Sequence, residues 1–201
     1  MYRGAIALLL LGLRVASAVD SVLPDPLTMI GFHEGARRLV ECKGGYLKGV
    51  EVGYVEDAWS FGEPFIGSMR LICSSGKLSV EYQGEKADTF LFGRPDLKTF
   101  RKVECEGDLG VAGFKWRPAA IKNPDGAEMR QAGLVVMCNR AGNAPVEMAL
   151  EHAVGGSHTY PRDFSCKQVP KYAGIAAPKL TKAIMWHNRK SWAGLEPVEC
   201  A

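Results

Sequence analysis

Trp186 and Trp192 flank His187, Arg189 and Lys190 in the stretch MWHNRKSW, residues 185–192. Flat aromatic faces stack on sugar rings or on cations, and arginine or lysine beside them binds sulfate or carboxylate groups. The stretch has no strand alternation, so it is expected to be a loop, and long loops often carry function. Trp59, in VEDAWSFGEP, is a further aromatic candidate of this kind, whereas Trp116 alternates inward with Phe114 and is assigned to the core.

Other chemistries find little support. The four histidines, His33, His152, His158 and His187, lack metal-ligand spacing with one another or with a cysteine, and there is no CxxC pair, so neither a metal nor another cofactor is expected. Ser74-x-x-Lys77 has the serine–lysine spacing of some hydrolases without their other motifs, and no GxSxG occurs. GDLGVAGF has glycines beside a strand but no lysine–serine or lysine–threonine end, so it is no phosphate loop.

The elements that must position these residues belong to an exported chain. MYRGAIALLLLGLRVASA opens with Arg3, runs apolar from Ala5 to Leu13 and ends in Ala16-Ser17-Ala18, which reads as a signal peptide cleaved after Ala18. A bilayer span needs about 20 apolar residues, and Arg14 interrupts this run. Cleavage leaves residues 19–201, enough for one domain. It also leaves 23 basic against 22 acidic residues. Such a balance argues against nucleic acid, which demands a concentrated basic face, and gives no support to an anionic membrane surface.

Six cysteines, Cys42, Cys73, Cys105, Cys138, Cys166 and Cys200, lie in the mature part, and an even count in a secreted chain points to disulfides. An internal repeat chooses among the fifteen possible pairings. After Cys42, Cys105 and Cys166 come Gly49-Val50-Glu51-Val52, Gly113-Phe114-Lys115-Trp116 and Gly174-Ile175-Ala176-Ala177, and the next cysteine follows each glycine by 24, 25 and 26 residues. Strand-like runs precede each closing cysteine, the last interrupted by Pro197, which suits an edge or a bulge. An antiparallel pair brings the start of its first strand beside the end of its second, which favours Cys42–Cys73, Cys105–Cys138 and Cys166–Cys200.

After the first two closers, KLSVEY and PVEMAL alternate as half-buried strands, with Leu78, Val80 and Tyr82 on one face and Val146, Met148 and Leu150 on one face. Residues 84–100 and 152–163 are expected to link repeats spanning about 42–82, 105–150 and 166–201. The third repeat has no room for its last strand, and residues 27–34 are expected to fill that place, since an exposed edge invites aggregation.

Three cysteine-bounded, glycine-led β units after a signal peptide resemble the vitelline membrane outer layer protein family. The matching stretches are CKGGYLKGVEVGY…GEPFIGSMRLIC and CEGDLGVAGFKW…GAEMRQAGLVVMC, with CKQVPKYAGIAA…WAGLEPVEC a degraded third copy. The resemblance implies an all-β chain folded as a β-prism, three Greek-key antiparallel sheets about a pseudo-threefold axis. It also implies an extracellular coat protein with glycans or other coat proteins as partners. Glu63 and Glu128 occupy the second acidic position of the family repeat, with Gly62 and Ala127 before them, and Arg189 stands at the approximate third equivalent. If Glu63 and Glu128 faced a common cleft about 5–9 Å apart, they would have the spacing of glycoside chemistry.

The expected protein is thus a secreted, disulfide-stapled single domain that acts by binding or by incorporation into an extracellular layer. Candidate ligand-binding residues are Glu63, Glu128, Trp59, Trp186, Arg189 and Trp192. The alternatives are an enzyme acting on oligosaccharides through the two glutamates, and an effector that docks on a protein through residues 186–192.

Overall fold

The computed structural model describes residues 29–56, 64–86, 90–123, 126–151, 162–188 and 191–201; residues 1–18, Trp59, Glu63 and Arg189 lie outside them. Among the described residues there is no α-helix, and the strands form three antiparallel sheets. Each sheet is built on a central hairpin: β3 (Leu47–Val55) with β4 (Phe65–Cys73), β9 (Val111–Asn123) with β10 (Gly126–Cys138), and β13 (Leu180–His187) with β14 (Trp192–Cys200).

Two flanking strands complete each sheet in the same order. β7 (Leu91–Gly93) and β8 (Thr99–Glu104) flank the β3–β4 hairpin, while β11 (Val146–Glu151) and β12 (Arg162–Ser165) flank β9–β10. In the remaining sheet β1 (Ile30–Gly31) lies on β14 and β2 (Ala36–Cys42) on β13, with β5 (Leu78–Val80) and β6 (Gly84–Lys86) added beyond β2. The sheets form the three faces of a β-prism with an internal pseudo-threefold. Their inward side chains meet in one core, to which Val50, Val52, Phe92, Val111, Phe114, Val136 and Met185 contribute fully buried groups. Trp116 is buried among them, as its alternation with Phe114 predicts.

The three disulfides pair as the spacing predicts, with alpha-carbons 5.4, 5.5 and 6.1 Å apart. The structure adds that each opening cysteine ends or follows the flanking strand of one sheet, while its partner ends the central hairpin of the next. Cys42 ends β2 and bonds Cys73 on β4; Cys105 follows β8 and bonds Cys138 on β10; Cys166 follows β12 and bonds Cys200 on β14. All six cysteines therefore lie at one end of the prism, and the opposite ends of the three central strand pairs, Val55 with Phe65, Asn123 with Gly126 and His187 with Trp192, lie at the other.

The repeated glycine has a physical cause. Gly49 pairs with Glu104 and Gly113 with Ser165, the residues just before an opening cysteine. A Cβ there would stand 2.1 Å from the Val103 carbonyl oxygen and 2.0 Å from that of Phe164. In the third sheet the residue opposite Glu41, just before Cys42, is Lys182.

Three expectations are corrected here. Gly174–Ala177 is not the opening strand of the third copy: two 3-10 turns, Cys166–Gln168 and Pro170–Tyr172, take up the chain, and the strand starts at Leu180. The run after Cys73 does not extend its own sheet, because β5 pairs with β2, and the place expected for it is taken by β7 from within the supposed linker. Leu78 and Val80 are buried as expected, but Tyr82 is 85% exposed, since its backbone turns to φ 62° and leaves the strand.

Candidate functional site

At the hairpin end, β13 and β14 divide their side chains between two environments. Met185 and its partner Leu195 enter the core, so the alternation sends Trp186, and Glu196 opposite Ile184, to the outer face. Arg37 of β2 lies directly across from Trp186 and shares that face. On the β13 side Pro197 pairs with Ala183 beside a bulge, where the register shifts between Lys182–Glu199 and Ala183–Pro197, a place that suits proline.

Glu196 is only 2% exposed although it carries a carboxylate. Burying such a group without donors costs several kcal/mol, on the order of the desolvation of an ion. Trp186 Nε1 donates to Glu196 Oε1 at 2.7 Å, and His33 Nε2 contacts the same oxygen. The indole is thereby held at a fixed angle while the ring stays half-buried at the surface. The His33 ring lies 4.9 Å from it at a tilt of 47°, and the Arg37 guanidinium lies 6.0 Å from its centroid.

The chain reaches this position because residues 32–35 run from the β14 edge, past the hairpin turn, to β2. Gly35 allows it at φ 86°, where a Cβ would stand 2.4 Å from the His187 carbonyl oxygen. Glu34 on this crossing accepts from Arg130 Nη1 of β10 at 2.8 Å and from Asn188 Nδ2 at 3.3 Å. Asn188 also accepts the Ser191 amide at 2.8 Å through Oδ1, and its own amide donates to the Ser191 carbonyl at 2.9 Å, so the turn is tied at its base.

On the opposite face, His187 packs edge-on against Phe92 at 5.4 Å. Burial, and secondarily the positive charge of Arg38, hold its pKa below the ordinary histidine value.

Of the residues singled out from the sequence, Trp186 stands in this cluster. Trp192 does not: its side chain is 1% exposed, packed in the core, and offers a ligand no face. The stretch 185–192 is a hairpin rather than a long loop, because its first three residues belong to β13 and its last to β14. Glu128 pairs by its backbone with Ile121 near the β9–β10 turn, and its side chain lies outside what is described. The supposed Glu63–Glu128 cleft therefore falls outside the described residues. His33, Glu34, Arg37, Asn188 and Glu196 were not chosen from the sequence. Their one visible signal was Glu196, a charge set directly after the apolar start of β14, Trp192–Leu195.

A groove of about 430 Å³ at the cysteine end, lined by Tyr46, Ile175, Lys179 and Thr181, is the main competitor. Its aromatic face is occupied, since Lys179 Nζ sits 3.8 Å above the Tyr46 ring and both side chains donate to the Asp108 carbonyl. Among the described residues no three His, Cys, Asp or Glu side chains gather as a metal site would require, and no helix is long and apolar enough to cross a membrane.

No protein-family model matches the sequence, and no curated protein matches it. Among solved structures, the chain is similar to the crystal structure of Calystegia sepium agglutinin, at a TM-score of 0.46 and 10% identity, over 87% of this chain and 97% of that one. So slight a likeness does not speak for the site, which rests on the geometry above.

Proposed function

We propose that the protein is a secreted, rigid binding protein of an extracellular layer, and that the outer face around Trp186 is where it meets glycans. The observation that carries this reading is the Trp186–Glu196 hydrogen bond, by which a buried carboxylate fixes a surface indole. A preset aromatic face loses little entropy when a sugar ring stacks on it. Around it, Arg37, Asn188 and Glu34 supply the donors and acceptors that sugar hydroxyls need.

Three disulfides support the extracellular setting, because such bonds persist in oxidising compartments. A role as coat protein fits the same scaffold, with the rigid prism incorporated through its bound glycans.

A glycan array probed with oxidised protein lacking residues 1–18 tests the proposal. Binding by the wild type that is lost in Trp186→Ala is the expected result. Binding to no glycan overturns it, and capture of a protein partner lost by the same substitution would replace it with the effector reading.

A further inference from the structure

Arg37 is the group at this site whose charge no described residue answers. Among the described residues no carboxylate pairs with its guanidinium, and its Nε is buried without a hydrogen-bond partner. The neighbouring acids are committed elsewhere: Glu34 to Arg130 and Asn188, Glu196 to Trp186 and His33, and Glu81 to the Leu39 amide. Further along the same face the charges are balanced, with Lys182 between Glu199 at 2.7 Å and Glu41 at 4.0 Å. Arg38, next in sequence, takes the opposite side of β2 and donates to the Arg37 carbonyl at 3.0 Å, so it does not share the position.

An uncompensated guanidinium beside an indole is a receptor for a planar anion attached to a ring. The guanidinium offers a rigid fork of N–H donors that a carboxylate or a sulfate can accept, while the indole takes the face of the ring that bears it. Resting on the glycan reading above, we infer that the Trp186 face selects acidic sugars, with Trp186 under the ring and Arg37 on its anionic group. His33, 59% exposed and 4.9 Å from the same indole, borders the site and adds positive charge when protonated.

The test compares three oligosaccharides of matched length by titration against oxidised protein: hyaluronan, which carries carboxylates alone, a sulfated chondroitin, and neutral chitooligosaccharide. At least one acidic oligosaccharide is expected to bind about tenfold or more tightly than the neutral one, the energy of a charge-assisted pair. Raising the salt should narrow that advantage. Arg37→Gln should abolish the preference by lowering the affinity for the acidic chain about tenfold relative to the neutral one, with the thermal melt in place, and Arg37→Lys should keep part of it. Preference for hyaluronan assigns the anion as carboxylate, and preference for the chondroitin alone assigns it as sulfate. Equal affinity for acidic and neutral chains, or a preference that survives Arg37→Gln, overturns the inference. If that equal binding is still lost in Trp186→Ala, the glycan reading stands without it, whereas absence of all binding ends both.

Discussion

Trp186 Nε1 and Glu196 Oε1 are joined at 2.7 Å across the last sheet, so that a residue at the surface and a residue sealed beneath it form one unit. The carboxylate is what makes the indole's position a property of the fold rather than of the ligand.

The two side chains should therefore be energetically coupled. A double-mutant cycle with Trp186→Phe and Glu196→Leu, neither of which can form the bond, is expected to give a coupling energy of about 1–3 kcal/mol in urea denaturation. Additive single effects would show that the hydrogen bond does not hold the ring.

His187 makes stability depend on pH. Its folded pKa lies below the ordinary 6.5 because burial disfavours the imidazolium. Between the two values the unfolded chain binds a proton that the folded chain does not, so stability rises with pH through this window and is complete above about 6.5. Urea midpoints for the wild type should fall as pH drops from 7 to 5, and the fall should be shallower in His187→Gln. An identical slope in both proteins removes His187 as the cause.

Gly49→Ala and Gly113→Ala should each cost about 2 kcal/mol or more, since the new methyl meets a backbone carbonyl that cannot swing aside. Lys182→Ala, at the corresponding place in the third sheet, should cost less than about 1 kcal/mol, the worth of its surface ion pair with Glu199. Comparable losses at all three positions would deny the correspondence.

Tyr82 is the non-glycine residue with positive φ among those described, and its side chain is 85% exposed. Strain there should order the variants by backbone tolerance, with Tyr82→Gly more stable than the wild type by about 0.5–1 kcal/mol and Tyr82→Val less stable. A Val variant as stable as the Gly variant would mean the turn stores no strain.

Much of the architecture was legible because cysteine and glycine have narrow geometric requirements. Cys42 and Cys73 must approach closely, and Gly49 and Gly113 must let a neighbouring carbonyl in, so their spacing reports the strands directly. The third copy misled because Gly174 sits at the right count from Cys200 while the strand starts at Leu180, after turns with no counterpart in the other copies. The site was harder to read. Trp186 announced itself by type, but Glu196, Arg37 and His33 come from three separate strands and crossings, and register alone brings them together. Trp192 shares Trp186's chemistry and not its place, because the hairpin turns one indole out and the other in.

The sulfur links act as a hoop around one rim of the prism, each closing a different seam between neighbouring sheets. The opposite rim carries no such clasp, so a hairpin can lengthen there without disturbing the closure. β9 and β10 already do so: each is 13 residues long, against 8 or 9 for the other central strands, and the surplus projects wholly beyond the unclasped rim. Reducing a single link should accordingly unzip one seam and leave the other two faces abutting.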